Sequence, residues 1–162
     1  MLLAAALLLA VPADVVSASR CWLPPVVGKV ADPFRSPPCP FCAGNRGIEY
    51  RVRDATVVRS VASGSVTFAG LVAGTRYVVV DVGGGWRTTY GRLDSSSLSA
   101  GDRVVAGVRI GSASGLVFFG VRVGEHYVDP APFLGRLVGE PRLVPTDATA
   151  PRPTRSTTVR CR

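Results

Sequence analysis

From Thr56 onward, short apolar runs alternate with Gly-bearing turns, and many members of those runs are β-branched or aromatic. That is the pattern of strands. The runs fall at residues 57–61, 65–69, 76–82, 86–93, 103–110, 116–123 and 126–128, the third leading into Gly83-Gly84-Gly85. Seven such runs within about seventy residues predict an antiparallel, all-β core with little helix. In residues 101–111 the Gly101-Asp102 pair predicts a turn and Gly107 a bend, with residues 111–115 opening the next strand. Phe133, Leu134, Gly135 and Leu137 read as a short turn or helix packed back on the sheet.

The ends differ in kind. Residues 2–11 are all Leu, Ala or Val, Pro12 stops them, and Val16-Ser17-Ala18 fits signal-peptidase cleavage after Ala18. Residues 1–18 therefore read as a secretory signal, with an uncleaved membrane anchor as the alternative. Residues 19–43 form a Pro-rich leading segment with one apolar run at 26–30, expected to wrap the domain. Residues 44–138 hold the β domain. Residues 139–162 are a basic tail rich in Pro, Thr and Arg, without an apolar period, disordered unless Cys161 anchors it.

Charge and cysteine narrow the function. The chain has 19 Lys+Arg against 11 Asp+Glu, a net +8, which becomes +9 once Asp14 leaves with the signal. Lys29 is the sole lysine. An exported chain so basic suits anionic wall polymer or lipid head groups, and has little occasion to meet nucleic acid. GC-rich coding accounts for the Arg excess equally well. With one His, a zinc site built from several imidazoles is excluded.

In an oxidising compartment Cys21, Cys39, Cys42 and Cys161 are expected to form two disulfides. Three pairings are open; Cys21 with Cys161 suits residues that flank the domain, leaving Cys39 and Cys42 to each other. Cys-Pro-Phe-Cys also matches a redox centre or half a zinc knuckle, but Pro37, Pro38 and Pro40 crowd it.

The order of motifs resembles the lysostaphin-type, LytM-like peptidase family. The resemblance runs from about Trp22 to Leu137. It rests on Trp22-Leu23-Pro24-Pro25 with Phe34, on Gly44-Asn45-Arg46-Gly47-Ile48-Glu49, and on the stretch Val61-Ala62-Ser63-Gly64-Ser65-Val66-Thr67-Phe68-Ala69-Gly70. It continues through Val79-Val80-Asp81, Thr88-Thr89-Tyr90, the Gly-Asp-x-Val-x-x-Gly phrase, Phe119-Gly120-Val121-Arg122 and Tyr127-Val128-Asp129-Pro130. The resemblance implies a small LytM-like, duplicated-hybrid-motif β domain of the kind used by zinc endopeptidases that cut peptidoglycan cross-bridges.

That family's zinc ligands fall at Asn45, Glu49 and Phe118, and its helper histidines at Arg92 and Leu116. Glu49 alone keeps a carboxylate. A catalytic zinc is held by three side chains and makes hydroxide available near neutrality. Asn45 offers only a neutral amide, Phe118 offers nothing, and Arg92 brings a permanent cation toward the site of a dication. The resemblance thus implies a secreted, wall-associated domain without catalytic residues or metal, which binds peptidoglycan or regulates wall hydrolases such as amidases. Its groove is expected to hold Asn45, Glu49, Arg92 and Phe118, with Tyr90 and Arg122 at the margins. Two alternatives stand beside this one: an active zinc endopeptidase of peptidoglycan cross-links, and a disulfide-held structural module with a polymer-binding tail. Trp22 and Trp86 read as core residues or as aromatic platforms, and His126 as a solvated surface side chain.

Overall fold

A computed structural model describes residues 20–39, 41–138 and 158–161. The signal assigned to residues 1–18 and most of the basic tail lie outside those described residues. In chain order the elements are β1 (Lys29–Asp32), β2 (Ile48–Arg59), β3 (Gly64–Val72), β4 (Thr75–Gly83), β5 (Trp86–Leu93), β6 (Arg103–Val104), β7 (Arg109–Val123), β8 (His126–Val128), a 3-10 turn (Ala131–Phe133), β9 (Arg136–Val138) and β10 (Thr158–Arg160).

Eight of these strands form one antiparallel sheet in the order β1-β2-β7-β5-β4-β3-β6, with β8 added to β7; β9 and β10 make a separate pair. Strand alternation sorts the side chains into two faces. Val117, Phe119 and Val121 of β7, Ile48 and Tyr50 of β2, Val78 and Val80 of β4, and Tyr90 of β5 are buried together, joined by Trp22 and Val26 from the leading segment. Each such side chain contributes roughly 1.5–3 kcal/mol by leaving water. Phe118, Gly120 and Arg122, the residues between them on β7, face the opposite way and line a cleft.

Three strand boundaries depart from the sequence reading. β2 begins at Ile48, well ahead of residue 57. There Glu49, Arg51 and Arg53 alternate with Ile48, Tyr50 and Val52, and the charged face obscures a half-buried strand. Residues 103–110 do not form one strand: β6 stops at Val104, a turn containing Gly107 at φ +82° follows, and β7 starts at Arg109 and runs without a break through Gly111 and Gly115. The leading segment also supplies an edge strand, β1, paired with β2 across Val30 and Tyr50.

The first and last described segments meet. Cys21 is bonded to Cys161 and Cys39 to Cys42. Thr158–Arg160 pairs with β9, so this end of the basic tail is ordered, as an anchored Cys161 requires. Nearby, the Trp22 ring stands 6.0 Å from both Trp86 and Phe133, and Trp86 stands 5.1 Å from Phe133. The tryptophans therefore serve the packing beneath the closure, as core residues do.

Candidate functional site

Pairing across three strands brings Glu49, Phe118 and Arg92 of the predicted site together. Glu49 of β2 lies opposite Phe118 of β7, and Phe118 lies opposite Gly91 of β5. Next to Gly91, the β4–β5 register jumps: Tyr77 pairs with Gly91 and Arg76 with Leu93, leaving Arg92 as an extra residue. This is a bulge, and Arg92 adopts φ +60° within it. A left-handed conformation in a residue other than glycine costs on the order of 1–3 kcal/mol. Its consequence is local: the Arg92 side chain reaches Glu49, with Nε donating to Oε1 at 3.1 Å and Nη2 donating to the same oxygen at 2.8 Å. The Glu49 side chain is only 19% exposed, which makes this more than a loose surface pair.

The Phe118 ring fills the space beside that pair. A methyl group placed on Gly47 would lie 2.7 Å from Phe118 ring carbons and 2.3 Å from the Phe119 carbonyl oxygen, so only glycine fits there. On its other side Phe118 meets Tyr77 edge-on, with ring centres 6.5 Å apart. Tyr77 in turn covers Gly91, where a methyl would fall 2.3 Å from a Tyr77 ring carbon. Leu116 is half-buried on the same side of β7, opposite Arg51.

Asn45 departs from its expected place on the groove floor. It is 8% exposed, and its side chain is committed to backbone: Nδ2 donates to the Pro33 carbonyl at 3.1 Å and the Asp32 carbonyl at 3.3 Å, while Oδ1 accepts from Gly47 N at 3.2 Å. It thereby ties the leading segment to the start of β2. Asp32 beside it pairs with Arg35, whose hydrogen bond holds the Asp32 carboxyl below its usual pKa. Tyr90 departs as well. It is fully buried on the core face, its hydroxyl accepting from Val61 N at 2.9 Å, and burial pushes its pKa up despite the hydrogen bonds around it. Alternation decides this, because Gly91 faces the groove and its neighbour Tyr90 must face away.

The open face carries a cleft of about 570 Å³ lined by Phe118, Arg122, Arg46, Arg87, Tyr77 and Tyr127, with Thr67 and Thr89 hydroxyls between. Of these, Phe118 and Arg122 were expected in the groove. Arg46, Arg87, Tyr77 and Tyr127 were missed, although Arg87 and Thr89 share the parity of Gly91 along β5 and were legible from it.

The donor set does not fit zinc. The Asn45 amide is engaged with backbone, Glu49 is held by a guanidinium, and the third position presents an aromatic ring. Among the described residues no three His, Cys, Asp or Glu side chains gather. The single His, His126, is exposed on β8, and all four cysteines are in disulfides.

An antiparallel sheet with this order of motifs defines the class: the chain belongs to peptidase family M23, whose profile matches residues 43–130, more than half of it. It is similar to YgeR, an uncharacterized lipoprotein of Escherichia coli (strain K12), with 27% identity over 123 residues that cover 71% of this chain and 47% of that protein. The chain thus spans about half the length of this curated relative. Among solved structures it is similar to Csd3 of Helicobacter pylori, with a TM-score of 0.65 and 22% identity over 72% of this chain and 35% of that one. A chain of the SpoIIIAH–SpoIIQ complex matches with a TM-score of 0.63 and 21% identity over 70% of this chain and 99% of that one. A zinc-containing peptidase of Vibrio cholerae matches with a TM-score of 0.58 and 23% identity, over 68% of this chain and 39% of that one. At such identities the likeness establishes the fold. No helix among the described residues is long and apolar enough to cross a membrane.

Proposed function

We propose that the chain is an exported, wall-associated M23 domain that cuts nothing, and that it uses its groove to bind peptidoglycan or to regulate the enzymes that hydrolyse it. The observation that carries this reading is the Arg92–Glu49 pair. The one carboxylate left at the family's ligand positions is neutralised by a cation built into the fold, and a second cation of charge +2 at that carboxylate would be repelled by the first. Phe118, beside it, supplies apolar surface instead of a donor. A groove without chemistry still recognises an extended chain by shape and hydrogen bonding. The likeness to a protein described as a lipoprotein supports an extracytoplasmic setting, as does the leading apolar stretch of residues 2–11.

Retention on purified sacculi tests the binding role. The chain is expected to stay bound at low and at high salt, and Arg92→Ala to weaken retention about tenfold at both. Retention that vanishes in high salt and ignores Arg92→Ala would assign binding to the basic tail and contradict the groove reading.

A further inference from the structure

Arg87 and Arg122 are directly opposite each other on β5 and β7. Like charges in that relation destabilise a sheet unless an anion lies between them. Here the anion is Glu125, which pairs with Arg122 and approaches Arg87 at 4.0 Å. Glu125 sits in the short turn between β7 and β8, next to Gly124 at φ +56°, and its side chain is 78% exposed. A carboxylate so placed is easily exchanged for another.

The surroundings are more permanent. The ring of Tyr127, opposite Arg122 on β8, lies 5.1 Å from the Arg122 guanidinium and 5.7 Å from that of Arg46, which holds both cations at the cleft. The Arg122 Nε is buried with no acceptor, while its terminal nitrogen serves Glu125. Apart from Glu125 reaching in from its turn, no acidic side chain lines the cleft among the described residues. Asp81, the next residue beyond Arg87 in the same row, is engaged with the Gly83 amide at 2.8 Å. Planar guanidinium groups match a carboxylate in a forked, two-bond geometry. The adjoining floor of Phe118 and Tyr77, with the Thr67 and Thr89 hydroxyls, offers apolar contact and single hydrogen bonds. That mixture suits a peptide better than a polyphosphate chain.

We propose that this cleft receives an extended peptide by a free carboxylate, which takes the place of Glu125 between Arg87 and Arg122. The proposal rests on the reading of the groove as a binding cleft and names the chemistry that it selects.

Calorimetric titration of the full chain with Ala-Glu-Ala-Ala, and with its neutral counterpart Ala-Gln-Ala-Ala-amide, tests it. The acidic peptide is expected to bind about tenfold more tightly than the neutral one. Glu125→Gln, which removes an exposed competitor, is expected to tighten the acidic peptide about two- to fivefold, and Arg87→Gln to weaken it about tenfold. The Glu125 side chain is 78% exposed and that of Arg87 42%, and neither residue belongs to the core, so the variants should fold. If the two peptides bind equally and Glu125→Gln changes nothing or weakens binding, the carboxylate assignment is wrong while the groove reading survives. If neither peptide binds and Arg92→Ala still leaves sacculus retention intact, both fall. If inorganic polyphosphate displaces the acidic peptide and binds more tightly, the site belongs to a phosphate polymer and the proposal is overturned.

Discussion

Tyr50 and Glu49 are neighbours on β2, yet one is a core residue and the other half of the groove's ion pair. Burial, together with the nearby Asp129 carboxylate, pushes the Tyr50 pKa up to about 12 from 10.0. The folded value lies above the unfolded one, so the stabilisation from keeping this phenol neutral is complete below about pH 10 and is lost as pH rises toward 12. The urea midpoint should therefore fall through that window, and Tyr50→Phe should flatten part of the fall; the raised Tyr90 phenol acts in the same direction. An unchanged slope in Tyr50→Phe would mean that the phenol is not buried as described. At this scale the sequence identified residue types well and directions poorly. The assignment of Asn45, Glu49, Phe118, Leu116 and Arg92 to the family's ligand and helper positions rests on motif order alone. That Asn45 turns into the backbone of Asp32 and Pro33 does not, because its partners lie in a segment whose path no local pattern dictates. Tyr90 was misplaced because a motif shows proximity along the chain, whereas a strand sends adjacent side chains to opposite faces.

The elements show which signals survive folding. Residues 76–82 were legible because Val78, Val80 and Val82 repeat at every second position, and residues 86–93 because Trp86, Thr88 and Tyr90 set aromatic and β-branched side chains at the same spacing. β2 was half missed because charge covers its outer face, and β7 was cut at Gly111 and Gly115, which read as breaks in sequence but lie within a continuous strand. The closing pair β9 and β10 joins distant residues and had no local signal beyond Cys161. Its disulfide to Cys21 bridges a separation of 140 residues, against 3 for Cys39–Cys42. By chain entropy the long closure contributes roughly 4–5 kcal/mol and the short one about 2 kcal/mol. Replacing Cys21 and Cys161 together with Ser should lower the urea midpoint more than replacing Cys39 and Cys42. It should also speed amide exchange at Val159, which pairs with Leu137. Equal losses from the two pairs would show that the terminal closure is not a constraint on the unfolded chain.

The whole molecule is a sheet with a division of labour between its faces. One face, closed by the leading segment, holds Phe119, Val117, Val121 and Tyr90 away from water and maintains the M23 fold. The other carries the Arg92–Glu49 ion pair, the Phe118 ring and a row of arginines. None of Glu49, Arg92, Leu116 and Phe118 belongs to the core, and Asn45 is tied to backbone, so the fold makes no demand for the residue types at the first four positions. In the proposed binding role, the net charge of +8 supplies a general attraction for anionic polymer and the groove supplies shape.

The central claim is that this groove has exchanged metal chemistry for recognition. The most direct test combines zinc titration with muropeptide release on the same purified chain. We predict no saturable zinc binding in the micromolar range and no soluble muropeptides from sacculi, with or without chelator. One equivalent of tightly bound zinc, together with muropeptide release that chelator abolishes, would contradict it.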